Sequence, residues 1–395
     1  MTLLQETNSL KKTPLYPRHL SLQGKIVDFS GWALPVYYTS IIAEHQWTRS
    51  SCSVFDVSHL GEFHVSGPGA FQFLQHRLTN DMNKLKDGKI IYSLLCDEKG
   101  FTLDDVLTYQ VSKDDYYVIV NAGNINRDLE AFTKYAPDSV AVKNHSDDTA
   151  CIAVQGPKSE AIIRKIFGFD LANLRYYYFQ EEKFMGESAW VSRSGYTGED
   201  GFEFFSKNAL SLALWDKLMN ADRKEGILPA GLGARNTLRL EAGNVLYGHE
   251  LNTTTTPLEA GLHFAVSFDK GDFVGRDGMM IQKKEGTRRK LVGFKMLDKP
   301  VARENYPIYS ATERGARLPA GQGPAEQFGG KENRKIGVVT SGSFGPSVGY
   351  NIGMGYVETG FETLGTILEI EIHGRLVKAE VVKLPFVQKK HRSSQ

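Results

Sequence analysis

The 395-residue chain is poor in cysteine: Cys52, Cys96 and Cys151 stand far apart, with no C-x-x-C pair among them. A disulfide framework or a cysteine zinc site is therefore not expected. Charge of one sign is equally scarce, since 47 Lys+Arg against 46 Asp+Glu leave a net +1 at pH 7. Nothing at whole-chain level recruits the protein to nucleic acid or to an acidic membrane surface. No apolar run approaches the ~18 residues of a membrane span, and Met1 to Tyr16 lacks the apolar core of a secretory signal. These absences predict a soluble protein of a reducing compartment: a bacterial cytoplasm, or a mitochondrial matrix if a presequence has been removed.

Most general motifs of chemistry are missing too. His59 and His64 are five apart, which does not match the i, i+4 pair of a helical zinc site, so no metal is expected. There is no phosphate-cradling G-x-x-x-x-G-K-[ST]. The G-x-G of Gly231 and Gly233 lacks the third glycine and the acidic ribose partner of a dinucleotide fingerprint, and reads as a tight helix entry. Cys96, without a placed base, reads as a small buried hydrophobe.

What is present is a mixed pattern with no period of 20 to 50 residues. Hydrophobic residues at 41% suffice for a packed core, and the length allows two or three domains. Residues 62–65, 105–111 and 116–121, rich in β-branched and aromatic side chains, predict strands, and 70–78 and 124–135 predict helices, together a compact α+β unit. A second mixed region spans about 150–255, with strands at 150–154, 189–194 and 202–206, a helix at 159–166, and another after Gly231 that puts Arg235 and Arg239 on one face. From about 290 short glycine-rich strands predict a small β domain, and the aperiodic 315–334 predicts an exposed loop.

Two constellations could carry chemistry. On the strand after the turn Asp97-Glu-Lys-Gly100, Asp105 shares a face with Leu107, Tyr109 and Val111, while Asp104 shares the other with Val106 and Thr108. A carboxylate on an apolar, aromatic face costs several kcal/mol to desolvate unless it is paired or at work, about 2–7 by transfer scales. The alternative is a turn-capping Asp beside a solvated neighbour. In Arg193-Ser-Gly-Tyr196-Thr-Gly-Glu-Asp-Gly201-Phe-Glu203, three glycines would let backbone approach a flat ligand, Tyr196 would stack, and Glu203 could accept the N–H pair of a pterin or guanine edge. Alternatively this is a hairpin whose Glu203 pairs with an arginine.

Further stretches carry a resemblance. Lys12-Thr-Pro-Leu-Tyr16, Val27-Asp-Phe-Ser-Gly-Trp32-Ala-Leu-Pro35, Phe55-Asp-Val-Ser-His59, Leu78-Thr-Asn-Asp81, Leu103-Asp-Asp105, Gln155-Gly-Pro157, the 193–203 run, Pro229 to Arg235, Leu238 to Ala242, Val339-Thr-Ser-Gly342 and Leu384-Pro-Phe386 follow in order at ordinary spacing. In them the chain resembles the glycine cleavage system T-protein, an aminomethyltransferase family.

The resemblance implies a three-domain, cloverleaf-like α+β fold with a central tetrahydrofolate site. Residues 1–60 plus 146–285 would form a discontinuous folate-binding domain, 61–145 an α+β domain carrying Asp105, and 286–395 a C-terminal β-rich domain. It further implies that Asp105 is the critical aspartate, that Glu203 grips the pterin edge, and that Tyr92, Tyr109, Asn121, Tyr176 and Tyr196 line the folate pocket. Arg235 would supply a cation for the pocket or the folate tail, with Arg375 a further candidate. The implied partner is a lipoylated H-protein carrying the aminomethyl group. Phe101 and Asn236 depart from the family's usual Gly and Asp.

Folate-binding relatives that assist iron–sulfur maturation carry Lys-Gly-Cys-Tyr-x-Gly-Gln-Glu, whereas this chain has Lys270-Gly-Asp-Phe-Val-Gly-Arg-Asp277. A folate-dependent demethylase would share the pterin site and differ in the small-substrate pocket.

Overall fold

The computed structural model describes residues 9–221, 226–311 and 334–390. The expected loop at 315–334 lies outside the described residues but for its last residue, Arg334.

The strand patterns sort into three sheets and a hairpin. An antiparallel five-stranded sheet runs Ile90–Cys96, Thr102–Ser112, Asp115–Val120, Gly61–Ser66, Ala141–Asn144. One face, with Phe63, Val65, Val106, Tyr116 and Val118, is covered by the helices Ala70–Arg77 and Ile125–Thr133 through Phe73, Leu74 and Phe132. A six-stranded sheet runs Phe179–Phe184, Glu187–Ser192, Gly201–Lys207, Thr149–Gln155, Cys52–Asp56, Ile227–Pro229, with only the last pair parallel. Val54, Ile152, Val154, Phe202 and Phe204 point to the helices Ser159–Phe167 and Asn208–Asn220.

Strand alternation leaves each sheet a second face, and these two meet. Ile90, Tyr109 and Ile119 of the first pack against Phe55, Ala153, Phe179 and Phe205 of the second and against Ala234 and Leu238 of the helix Leu232–Glu241. Burying side chains of this size is worth roughly 1.5–3 kcal/mol each, so the seam is a shared core. Because one strand edge of that core carries Asp105, the same packing that joins the sheets fixes where the acid stands.

The helix Leu232–Glu241 enters through the two glycines, though not for positive φ: Gly231 has φ −99°. A Cβ there would stand 2.6 Å from the Pro35 carbonyl oxygen, and one at Gly233 would stand 2.9 Å from that of Val36. The entry is tight because the helix lies on the strand Trp32–Tyr37, hairpin partner of Lys25–Phe29. The last six strands, Arg289–Met296 to Arg375–Val382, close into a barrel around Phe294, Ile308, Leu368 and Ile370.

Candidate active site

Asp104 and Asp105 are adjacent, and their surroundings differ completely. Neither caps the turn before them. Asp97 does, accepting from the backbone N–H of Lys99 and Phe101 at 3.0 and 2.8 Å, while Gly100 takes the left-handed conformation at φ +88°. The turn needs glycine only at position 100, which is why Phe101 is tolerated.

Asp104, fully buried, accepts from the Asn121 backbone N–H at 2.9 Å, from Asn121 Nδ2 at 2.8 Å and from Asn124 Nδ2 at 2.7 Å. Burial and the Asp104 charge push the neighbouring Asp128 carboxyl up to about 11, so Asp128 is protonated at neutral pH. Asp104 thereby holds Asn121, and Asn121 holds Asp105: its Nδ2 donates to Asp105 Oδ1 at 2.9 Å, and the Tyr92 hydroxyl donates to Oδ2 at 3.1 Å. Asp105 is only half-buried by water access, yet protein surrounds it. Part of its surface is therefore open to solvent. Burial raises its pKa above the ordinary carboxylate range and the Asp104 charge raises it further, with Tyr92 and Asn121 opposing both. A carboxyl so poised can hold or take up a proton near neutral pH.

A second acid shares a neighbour with Asp105, the Tyr177 phenol, which feels both charges. Glu203 is 6% exposed and accepts from the Ser194 hydroxyl. Ser194 and Ser192 hydroxyls lie 2.7 Å apart, and Tyr109 donates to Ser192 at 3.3 Å. Only the hydroxyl end of Tyr109 joins this chain, its ring being packed on Phe179 and Phe205. Burial raises the Glu203 carboxyl, and Ser194 and Arg235 pull it back. Arg235 is half-buried, its guanidinium 4.7 Å from the centre of the Tyr196 ring, and it makes no hydrogen bond to the described residues. Burial lowers its pKa. A desolvated guanidinium without a hydrogen-bond partner is a ready site for an anionic or carbonyl oxygen.

Of the named residues, Tyr92, Asp105 and Asn121 form one hydrogen-bonded group, Tyr109 and Glu203 another through Ser192 and Ser194, and Arg235 and Tyr196 a third contact. Tyr176 stacks on Tyr177 at 4.5 Å. The phenol of Tyr177 feels the charges of both Asp105 and Glu203, whereas Tyr176 feels Glu203 and Asp200. Tyr177 thus lies near both acids, and it turns the chain through a left-handed conformation at φ +61°. Arg375 is exposed in a barrel hairpin and makes no contact with these groups among the described residues. Ser192, Ser194, Asn124 and Asp128 were not singled out from sequence; serines two apart on a strand next to a carboxylate were the available signal.

One expectation is corrected. The glycines of the 193–203 run do not make room for a ligand. A Cβ at Gly195 or Gly201 would come within 2.1 or 2.5 Å of the Gln155 side chain. Gln155 fills that space, donating to the Ser194 carbonyl at 3.0 Å and accepting from Thr197 Oγ1 at 2.9 Å. Among the described residues Glu203 does not pair directly with an arginine; Arg193 instead binds Asp200 and Glu160. The three cysteines are buried, and burial pushes the Cys96 thiol up to about 12, which removes it as a nucleophile.

Two sheets thus share one core, with Asp105 and Arg235 half-buried and Glu203 buried at the seam, and a six-stranded barrel is attached. Residues 15–270 match the family described as GCVT N-terminal domain, and 289–388 match the Glycine cleavage T-protein C-terminal barrel domain. The chain belongs to the glycine cleavage T-protein family. It is 42% identical over 391 residues to an aminomethyltransferase of Thermoanaerobacter pseudethanolicus, covering 98% of this chain and 100% of that one. It is 43% identical over 381 residues to one from Moorella thermoacetica, covering 96% and 98%. A crystal structure of glycine cleavage system aminomethyltransferase T from Bartonella henselae superposes with a TM-score of 0.87 at 32% identity, covering 97% of this chain and 99% of that one. Among the described residues no helix is long and apolar enough to cross a membrane.

Proposed function

We propose that this protein transfers the one-carbon unit of an aminomethyl-lipoyl H-protein to tetrahydrofolate, releasing ammonia and giving 5,10-methylenetetrahydrofolate and the dihydrolipoyl carrier. The S–C and C–N bonds of the S–CH2–NH2 group break, two C–N bonds to the folate nitrogens form, and the two N–H protons pass to sulfur and to the leaving amine. No redox partner is needed.

The observation that carries the reading is the Asp105 carboxyl, held by Tyr92 and Asn121 and raised in pKa by burial and Asp104. As a folate nitrogen attacks, positive charge develops on it. A carboxylate at that point stabilises the charge and can take the proton. Glu203 would accept the pterin's N–H pair, with the Ser194 bond fixing its orientation. Tyr92, Tyr109, Asn121, Tyr176 and Tyr196 would wall the cofactor, and Arg235 would meet an oxygen of the pterin or of the folate tail. Tyr92, Tyr109, Tyr176 and Tyr196 would give that site flat aromatic faces. Residues 1–60 with 146–285, residues 61–145 and residues 286–395 would act as three domains around it, in the cytoplasm.

The test is direct. Purified protein, tetrahydrofolate and aminomethylated H-protein should release ammonia at a rate proportional to the protein. Absence of ammonia release with both substrates present overturns the assignment.

A further inference from the structure

Lys270, which opens the Lys-Gly-Asp-Phe run, is half-buried at the end of the one-turn helix Phe268–Lys270. Its ammonium donates to three backbone carbonyls, those of Gln75, Leu78 and, at 2.8 Å, Asn80. Three acceptors engage three N–H donors, which only the charged amine has. The carbonyls of Gln75 and Leu78 lie at the C-terminal end of the helix Ala70–Arg77, where the helix dipole favours a cation. The Phe273 ring packs beside the ammonium at 4.8 Å. The charged groups that act on Lys270 are Asp81 and Lys84, in opposite directions. What the ammonium holds in place is therefore the turn 78–80.

That turn covers the open edge of a strand. Ile90–Cys96 stands at the end of its sheet and pairs there with Thr102–Ser112 alone. Along its other edge, the Thr79 N–H donates to the Leu94 carbonyl at 3.1 Å, the Leu94 N–H donates to Thr79 Oγ1 at 3.0 Å, and Asn80 Nδ2 donates to the Tyr92 carbonyl at 2.8 Å. Asn80 is itself oriented, its N–H donating to Ser93 Oγ at 2.9 Å and its Oδ1 accepting from the Lys84 ammonium at 2.9 Å. The ring of Tyr92 leads back to the same turn. It stacks on Phe264 at 5.9 Å, and Thr79 Oγ1 donates to the carbonyl of the next residue, Ala265, at 2.8 Å.

We propose that Lys270 is a positioning residue for the acid: by pinning the turn 78–80 it fixes Tyr92, whose hydroxyl donates to Asp105 Oδ2 at 3.1 Å. A bond to the charged form of a carboxyl favours that form, so Lys270 acts on the Asp105 proton through Asn80 and Tyr92. The consequence for turnover rests on the transfer reaction proposed above, while the effect on the Asp105 proton does not. The other groups that face Asp105 are the Asp104 carboxylate, the Asn121 amide and the phenols of Tyr177 and Tyr196.

The Asp105 carboxyl is titrated by NMR in the full-length protein labelled with 13C-carboxyl aspartate, its signal identified by its loss in Asp105→Asn. Tyr92→Phe removes the hydroxyl and should raise the Asp105 pKa by about one unit. Lys270→Met and Asn80→Ala should each raise it by at least about half as much, and neither should add a further rise in the Tyr92→Phe background. Losing the Lys270 charge would also raise that pKa through space, but such an effect persists without the Tyr92 hydroxyl. Asn80→Ala changes no charge and keeps the carbonyl that Lys270 holds. An Asp105 pKa unmoved by Asn80→Ala, or a Lys270→Met rise that survives undiminished in the Tyr92→Phe background, overturns the proposal. The Asn80 variant decides even where Lys270→Met fails to fold. In the active protein the acid limb of kcat/KM should move to higher pH with the titration. An unaltered protein that releases no ammonia would sink the transfer reaction and leave the titration result standing.

Discussion

Arg235 and Arg239 lie four residues apart on one face of one helix, yet they are opposite cases. Arg239, 1% exposed, gives Nη1 to Glu250 at 2.8 Å, Nη2 to Ser341 Oγ at 2.8 Å and Nε to Asn236 Oδ1 at 2.9 Å. Glu250 is completed by the Leu246 N–H and the Thr340 hydroxyl. Donors and acceptors are matched, and the result joins the helix to the barrel strand Lys335–Gly345. Asn236 serves as a neutral acceptor for Arg239. Arg235 has a ring beneath it and one acid, Glu203, nearby, but no hydrogen-bond partner of its own among the described residues. What separates a clamp from a site is therefore how far the charges are already satisfied. Saturated charge holds structure, and unsaturated charge is left for a ligand.

The comparison breaks most visibly at the clamp. Replacing Arg239 with Ala strands Glu250 in the core and should cost about 3–5 kcal/mol, read by denaturant titration. Replacing Arg239 and Glu250 together should cost less than the sum of the single changes. A loss under about 1 kcal/mol for Arg239→Ala, the size of an exposed pair, would show that the pair is not the clamp described.

On the other side, Asp105→Asn should cut turnover about 10²–10⁴-fold with tetrahydrofolate affinity nearly intact. Its effect on stability should have the opposite sign to that at the clamp. The folded-state pKa of Asp105 is raised, so its ionised form is disfavoured by folding. That cost is absent below the unfolded pKa of about 4 and fully present above the raised folded value. The Asn variant should therefore be at least as stable as the parent at pH 8, with any gain vanishing near pH 4. A marked loss of stability at pH 8 would assign Asp105 to structure. Glu203→Ala should act on affinity first, weakening tetrahydrofolate about tenfold or more, as for a lost hydrogen bond to a charged group. Equal affinity would show that the pterin is held elsewhere.

Much of this was legible before any coordinates. The strand at 105–111 and its alternation put Asp105 with Tyr109 on the seam face, and the structure finds Thr102–Ser112 with Leu107, Tyr109 and Val111 in that core. The helices at 70–78, 124–135 and 159–166 are found within a few residues of the expected bounds. Less legible were groups whose role depends on distant partners. Glycine spacing cannot say whether a space holds a ligand or Gln155, because Gln155 lies about 40 residues away. Glu62 falls in a strand that alternation alone assigns, yet nothing local says that its carboxyl oxygens have no hydrogen-bond partner among the described residues. The strand Ile90–Cys96 and the helix Ile41–Ser50 went unassigned, the latter because His45, Glu44 and Thr48 form its buried face.

The smallest effect sharpens the contrast within the acid pair itself. If Asp105 must be ionised to assist attack, kcat/KM falls as pH drops through its raised pKa, above the ordinary value of about 4. Asp104 contributes to that rise as a like charge, so Asp104→Asn should move the acid limb to lower pH, by on the order of one unit. Asn keeps one oxygen for the side-chain amides of Asn121 and Asn124 and loses the acceptor of the Asn121 backbone N–H, so tetrahydrofolate affinity and denaturant stability are measured beside the pH profile. Because Asp128 could then ionise in place of Asp104, the variant carrying Asp128→Asn as well should show a shift at least as large. An acid limb that stays where it was in both variants would mean that burial alone sets the Asp105 proton, and that Asp104 serves only to hold Asn121.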